Sequence, residues 1–151
     1  MTREDALYQK LLLAAGFVEQ YEPWLAEFVE KEDPLSDIVL DLSWCGGDFK
    51  EIVSCLHRFL IDSVVDDIAV AERLRLFVKE QYESGKLDAE GCMIAFDRFS
   101  AEMIGHSSIW DYMMALSDYY GGVSEGWYPE KKWKKAFVAF LSEGKMLWPW
   151  R

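Results

Sequence analysis

The sequence predicts an all-α protein, built as a multi-helix bundle or short helical array of about seven to eight helices in a single domain over residues 1–151. Apolar residues recur at helical spacing along most of the chain. Capping residues, prolines and glycines mark the ends of successive segments. No stretch of four or more residues alternates between polar and apolar side chains with β-branched enrichment, so strands are not expected.

Four helices are predicted in the first part of the chain. Small polar residues and prolines begin them, because such residues cap free N–H groups or fit the first turn, and glycine commonly ends them. The predicted starts are Thr2, Pro23, Asp33-Pro34, and Asp48 with Glu51 as a capping box. The predicted ends are Gly16 (with Phe17 packing after it), Lys31 and Gly46-Gly47. Core stripes are expected on the third helix (Leu35, Ile38, Val39, Leu42) and the fourth (Phe49, Ile52, Val53, Leu56, Leu60).

Four further helices are predicted from the same kinds of start and end residues. Their predicted starts are Ser63 with Asp66, Asp88, Ser108 with Asp111, and Pro129. Their predicted ends are Gly85, Gly105, Gly121-Gly122 and Gly144. The long fifth helix is expected to lie centrally, with a stripe of Val70, Leu74, Phe77 and Val78. The stripes of the sixth and eighth helices are Cys92, Phe96, Phe99 and Met103, and Trp133, Ala136, Phe137, Phe140 and Leu141.

The net charge of −11 argues against a nucleic-acid-binding surface, which needs an excess of lysine and arginine. The charge is uneven, because residues 126–151 hold six basic and two acidic side chains, a net +4, which leaves −15 for residues 1–125. The three cysteines form no CxxC pair, and the apolar run at residues 11–15 is far too short to span a bilayer. We therefore expect a cytoplasmic protein that binds neither nucleic acid nor membrane.

Signatures of catalysis and of metal or cofactor binding are missing from the sequence. Cys55 and His57 lie two positions apart, which points them to different faces of a helix. The chain has only two histidines, and no GxSxG, HExxH, EF-hand or glycine-rich phosphate loop occurs. We expect no cofactor and no metal ion.

Three aspartates lie close together near the start of the fifth predicted helix: Asp62, Asp66 and Asp67. A helix N-terminus attracts carboxylates through its unpaired N–H groups and its dipole, and we favour this explanation. The surplus of acidic groups leaves open a small enzyme with a carboxylate-based site here. His57 is the only other side chain that such a site would draw on.

The outer face of the third predicted helix is the sharpest functional clue. At 100° per residue, Asp37, Asp41 and Trp44 lie within about 60° of one another and nearly opposite the core stripe. An exposed tryptophan beside two carboxylates is typical of a contact patch for a basic partner. The acidic residues just before it extend the negative field: Glu30, Glu32 and Asp33. The alternative, which we favour from the sequence, is that Trp44 packs under a neighbouring helix.

The eighth predicted helix is basic and amphipathic, with Trp133 on its apolar side. Its lysines are Lys131, Lys132, Lys134 and Lys135. Such helices occur at membrane surfaces, but the acidic body of the chain favours packing within the protein. The segment Trp148-Pro149-Trp150 is expected to cover an apolar groove.

The first functional hypothesis is a non-enzymatic protein-binding domain whose acidic face engages a basic partner protein. One concrete form is a bacterial immunity or antitoxin-type inhibitor that masks a cationic toxin. The candidate partner-binding residues are Asp33, Asp37, Asp41, Trp44, Asp62, Asp66 and Asp67. The alternatives are the small carboxylate enzyme and a helical scaffold that associates with itself, and the oligomeric state stays open.

Overall fold

The structure, a computed structural model, describes residues 1–149, and this part of the chain contains eight helices and no strand. The all-α prediction is therefore confirmed. The helices are α1 (Arg3–Ala14), α2 (Tyr21–Lys31), α3 (Asp37–Trp44), α4 (Phe49–Leu60), α5 (Asp67–Glu83), α6 (Ala89–Ala101), α7 (Ser108–Ser124) and α8 (Glu130–Glu143). Contacts divide the chain into two compact units, unit 1 (Met1–Asp66) with α1–α4 and unit 2 (Asp67–Arg151) with α5–α8. The single-domain interpretation of residues 1–151 stays a prediction.

Helix α1 of unit 1 begins and ends as its sequence predicts. The Thr2 side chain accepts a hydrogen bond from the N–H of Asp5, and the Asp5 carboxylate accepts one from the N–H of Thr2, which completes a capping box. Gly16 adopts a positive φ of 92°. This conformation lets the N–H of Phe17 donate to the carbonyl of Leu12 at 2.9 Å, the bond that closes a helix C-terminus in a Schellman motif.

The start of α3 differs from the prediction at Asp33-Pro34. The helix begins at Asp37, and Ser36 is its N-cap, with extended backbone angles. The Glu32 carboxylate accepts a hydrogen bond from the N–H of Ser36 at 2.9 Å, which stabilises a non-helical backbone at this point. Leu35 therefore precedes the helix, although it still packs against the core of unit 1.

The apolar stripes of α3 and α4 meet in the core of unit 1. The buried members of this core are Ala6, Leu13, Tyr21, Ile38, Val39, Leu42, Ile52, Cys55 and Leu56. Asp48 caps α4 as predicted, with its side chain accepting hydrogen bonds from the N–H groups of Lys50 and Glu51. Phe49, predicted to join the core stripe, is exposed in this first turn.

Helix α5 packs against α6, α7 and α8 of unit 2. The most extensive helix contacts there are made by α7, so the central position predicted for α5 is not confirmed. Val70, Leu74 and Val78 are buried on α5. The predicted capping box of Ser63 and Asp66 does not form, because α5 begins at Asp67. Asp88 does cap α6, where its carboxylate accepts from the N–H of Gly91 at 2.7 Å.

Helix α7 runs through the glycine pair that was predicted to end it and stops at Ser124. Gly122 is needed for close packing instead, since a Cβ added there would overlap the ring of Tyr128. The chain turns at Gly126, which has a positive φ of 80°. The glycine pair therefore serves a side-chain contact, and the turn lies four residues further along.

Helix α8 packs within unit 2 by its apolar face, as predicted for the basic helix. Trp133 is buried and its Nε1 donates a hydrogen bond to the carbonyl of Leu116 at 3.1 Å. Near the C-terminal end of α8, Arg75 of α5 donates hydrogen bonds from one guanidinium nitrogen to the carbonyls of Phe140 and Leu141. None of the helices in residues 1–149 combines the length and apolar character needed to span a bilayer.

The chain after α8 returns to α7. The Tyr112 hydroxyl donates to the carbonyl of Leu147 at 2.6 Å, and the Trp148 ring meets the Tyr112 ring edge to face, 5.0 Å between centroids. These contacts agree with the expectation that this segment packs on the protein. The predicted contribution of Trp150 lies outside the described residues.

Candidate protein-binding surface

Trp44, in the last turn of α3, projects into solvent. Its side chain is 86% exposed, so the prediction that it packs beneath a neighbouring helix is wrong. Helix α3 is packed by α2 and α4, and these contacts bury the side of α3 that carries Ile38, Val39 and Leu42. Trp44 lies on the opposite side, which no other helix of unit 1 covers.

Asp37 and Asp41 share the exposed side of α3 with Trp44. The three residues follow one another at spacings of four and three, so they line up over roughly 10 Å of the helix axis. Both carboxylates are exposed, and neither makes a salt bridge with a lysine or arginine among residues 1–149. We call these three residues the α3 face, and their charges are available to another molecule.

A pocket of about 470 Å³ opens beside the α3 face. Its lining residues are Met1, Arg3, Ser36, Asp37, Ile38, Asp41, Cys55, Arg58 and Phe59. The Arg3 guanidinium is held over the Phe59 ring, 3.6 Å from its centroid, and its Nε donates to the Ser63 hydroxyl at 3.0 Å. This pocket therefore presents charges of both signs, from Arg3 and Arg58 and from Asp37 and Asp41 of the α3 face.

A second depression, of about 560 Å³, runs between α2 and the C-terminal end of α3. Its lining residues are Tyr21, Glu22, Leu25, Ala26, Val29, Glu30, Leu42, Ser43, Gly46 and Gly47. The apolar side chains lie in its middle along α2, and a glutamate lies toward each end of that helix. We call it the α2–α3 groove.

The negative charge of unit 1 is concentrated on the segment that forms these features. Unit 1 contains fourteen acidic and five basic side chains, a net charge of −9. Residues 19–48 alone contain nine acidic side chains and a single basic one, Lys31, a net charge of −8. Lys31 lies 3.9 Å from Glu27 on the same helix. The α2–α3 segment is therefore a strongly acidic surface with exposed apolar side chains in it.

Two acidic residues just before α3 have different surroundings. The Glu32 carboxylate binds the N-terminal ammonium group at 2.8 Å and accepts from the N–H of Ser36, and these contacts lower its pKa to about 2. Asp33, a predicted partner-binding residue, is exposed. Glu32 thus helps to hold unit 1 together, whereas Asp33 adds to the acidic surface.

The aspartates near the start of α5 do not share one environment. Asp62 is exposed and has a left-handed φ of 58° in the turn after α4. The N–H of Asp66 donates to the Glu4 carboxylate at 3.1 Å. The Asp67 carboxylate accepts hydrogen bonds from Ser107 and from the Trp110 indole, and these outweigh the effect of burial, so that its pKa is lowered. Asp67 is the first residue of α5 and Asp66 immediately precedes it, so both lie at the helix N-terminus as the dipole explanation requires, whereas Asp62 does not.

The side chains considered for catalysis are also separated. Cys55 is buried and His57 is exposed, which confirms that they point to different sides of α4. Burial raises the pKa of the Cys55 thiol and of the nearby Cys45 thiol, which disfavours the thiolate that nucleophilic catalysis needs. Among residues 1–149, no three histidine, cysteine, aspartate or glutamate side chains are grouped so that they could hold a metal ion.

Sequence reasoning missed the part of this surface that α2 supplies. The apolar residues that line the groove, among them Leu25 and Val29, have the spacing of an ordinary core stripe, and only the structure shows that this side of α2 is open. A signal was present in the nine acidic residues of segment 19–48, which flank those apolar positions. No protein-family model, curated protein or solved structure matches this chain, so the surface is interpreted from its own chemistry.

Proposed function

We propose that this protein is a non-enzymatic protein-binding domain, and that the α3 face of unit 1 engages a basic partner protein. One observation carries the proposal: Trp44 is 86% exposed on the same side of α3 as the unpaired carboxylates of Asp37 and Asp41. Tryptophan is among the residues most enriched at the energetic centres of interfaces. Its exposure in the free protein is explained if a partner covers it.

Trp44 and the acidic side chains around it have separate physical roles in binding. Covering an indole removes roughly 150–250 Å² from water, which corresponds to roughly 4–6 kcal/mol before the costs of association are subtracted. The net charge of −8 on residues 19–48 raises the rate at which a basic partner arrives, because the attraction acts before contact. Trp44 therefore mainly slows dissociation, and the carboxylates mainly speed association.

The partner's chemistry follows from the sign of this surface. A second copy of the chain would bring two strongly acidic segments together, and like charges that face each other across an interface cost several kcal/mol. A basic protein is instead attracted to this acidic surface, because the two charges are of opposite sign. The immunity or antitoxin-type inhibitor of a cationic toxin is the form of this proposal that we favour, since such an inhibitor needs binding strength and no catalytic groups.

The test begins with the basic proteins that co-purify with the full chain from its native host. Each purified candidate is then tested against wild type, the Asp37→Lys/Asp41→Lys variant and the Trp44→Ala variant. Raising salt from about 0.1 M to about 1 M shortens the screening length from about 10 Å to about 3 Å. The charge reversal is expected to slow association about tenfold or more at the lower salt and little at the higher one, and Trp44→Ala is expected to speed dissociation.

The matched control is Asp111→Lys with Asp118→Lys, which changes the net charge equally on exposed positions of α7 in unit 2. This control is expected to keep most of the association rate. An equal loss in both double variants would show that only net charge matters. The proposal would be overturned if Trp44→Ala leaves the dissociation rate unchanged, or if no basic partner is found.

A further inference from the structure

We infer that the α2–α3 groove receives an amphipathic helix of the partner, with an apolar stripe in its middle and basic side chains flanking the stripe. This inference rests on the proposed function, because it describes how the same basic partner contacts unit 1. It adds a second contact region to the α3 face and specifies the secondary structure that fits there.

The residues that α2 presents to the groove have the periodicity of a helix-packing face. They recur at positions i, i+3, i+4, i+7 and i+8: Glu22, Leu25, Ala26, Val29 and Glu30. This is the spacing with which one helix packs along another. Val29 is 43% exposed in the free protein. The groove side of α2 is therefore only partly covered within unit 1: Leu25 packs against the core, whereas Ala26 and Val29 stay exposed.

The two glutamates on this face indicate which side chains the bound helix carries on either side of its apolar stripe. Glu22 and Glu30 are eight residues apart, roughly 12 Å along α2, with the apolar side chains between them. Both glutamates are exposed. A helix lying along α2 satisfies them with lysine or arginine side chains about two turns apart, and its apolar stripe covers Leu25, Ala26 and Val29.

The opposite wall allows the close approach that a helix needs. It is formed by the last turn of α3 and by Gly46 and Gly47, which have no side chains. A Cβ added at either glycine would meet no atom within 4 Å. The C-terminal end of α3 also carries the partial negative charge of the helix dipole, which again favours a basic occupant.

An extended peptide fits this site less well than a helix. Strand addition requires a sheet edge with free N–H and C=O groups, and no strand exists among the described residues of unit 1. Both long walls of the groove are instead helical, and helix α2, with 11 residues, is roughly 16 Å long. The groove thus accommodates about three turns of a helix.

The probe is a synthetic 15-residue peptide of leucine, alanine and lysine, with the leucines on one helical face and the lysines beside them. A scrambled peptide of the same composition carries the same charge and forms no apolar stripe. Fluorescence anisotropy with the full chain measures both affinities. We expect the amphipathic peptide to bind about tenfold more tightly than the scrambled one, because only its stripe fills the groove.

The blocking variant is Ala26→Gln with Gly47→Gln, which places uncharged bulk in the groove. Ala26 is exposed on a helix that tolerates glutamine, and Gly47 has open space and no positive φ. The matched control is Ala101→Gln with Gly121→Gln in unit 2, where both positions are also exposed. The blocking variant is expected to abolish the preference for the amphipathic peptide, and the control to retain it.

The outcomes separate this inference from the proposed function. Equal binding of the two peptides to wild type, or a preference that survives the blocking variant, would overturn the groove inference. If both peptides bind equally and the Asp37→Lys/Asp41→Lys variant weakens both, the groove inference fails and the acidic-surface proposal stands. If neither peptide binds, the groove inference fails, and the Trp44 experiment decides the proposed function by itself.

Discussion

The indole Nε1 of Trp110 donates a hydrogen bond of 2.8 Å to Oδ2 of Asp67. The same oxygen accepts from the N–H of Ser107 at 3.3 Å and from its hydroxyl at 2.6 Å. One carboxylate oxygen thus joins the first residue of α5 to the N-terminus of α7 and satisfies a buried indole. These contacts favour a structural role for Asp67, even though its sequence position made it a candidate for partner binding.

We expect Asp67→Ala to destabilise unit 2 by about 2 kcal/mol, because it leaves the buried Trp110 N–H without an acceptor. Urea unfolding followed by circular dichroism measures this loss. Asp118→Ala, on an exposed position of α7, is the control and is expected to change stability by less than about 0.5 kcal/mol. Equal effects of the two substitutions would mean that the hydrogen bonds to Asp67 contribute little.

Helix ends could be predicted from the sequence where the residue at the end has a single structural role, which is to cap the helix. Thr2, Asp48 and Asp88 each accept hydrogen bonds from N–H groups of the next turn, and Gly144 adopts the left-handed conformation that ends α8. The glycine pair in α7 was misinterpreted because glycine also permits close packing. The sequence around Gly122 does not show that the Tyr128 ring will lie against it.

The α3 face was predictable in part. Helical geometry correctly places Asp37, Asp41 and Trp44 on one side of α3, opposite its buried residues. The exposure of Trp44 was not predictable, because it depends on which helices pack against α3, and local periodicity carries no information on that. The groove along α2 was not predicted for the same reason, because apolar residues have the same spacing on an open helix face and on a buried one.

The two neighbouring glycines of α7 should respond oppositely to alanine. We expect Gly121→Ala to raise the melting temperature, because the position has open space and alanine is the better helix former by about 1 kcal/mol. Gly122→Ala should lower it, because the new Cβ forces the Tyr128 ring to move, at a cost of about 1–3 kcal/mol. Thermal unfolding of both variants tests this, and a shift of the same sign in both would contradict the packing explanation.

The pKa of Glu32 makes part of the stability of unit 1 dependent on pH. This pKa falls to about 2 in the folded protein through contacts with the N-terminal ammonium group and Ser36. A lowered folded pKa contributes stability that is complete above the unfolded value, about 4.5, and is lost as pH falls towards 2. We expect Glu32→Gln to weaken unit 1 at pH 7 and to flatten the acid side of its stability curve.

Acid titration of both proteins by circular dichroism measures this difference. The control is Glu27→Gln, on an exposed residue of α2 whose ion pair with Lys31 is long and solvent-exposed. Its pH profile is expected to match that of wild type. Identical profiles for wild type and Glu32→Gln would show that the contact with the N-terminus does not contribute to acid stability.

Two buried tyrosines should also respond oppositely to loss of their hydroxyl groups. The Tyr21 hydroxyl, beside the groove, is buried with no hydrogen-bond partner among residues 1–149, whereas the Tyr112 hydroxyl donates to Leu147. An unpaired buried hydroxyl costs free energy, so Tyr21→Phe should stabilise unit 1 by about 1 kcal/mol. Tyr112→Phe should destabilise unit 2 by a similar amount. Hydrogen exchange of the amides in each unit measures both effects, and a loss of stability in Tyr21→Phe would show that its hydroxyl does find a partner in solution.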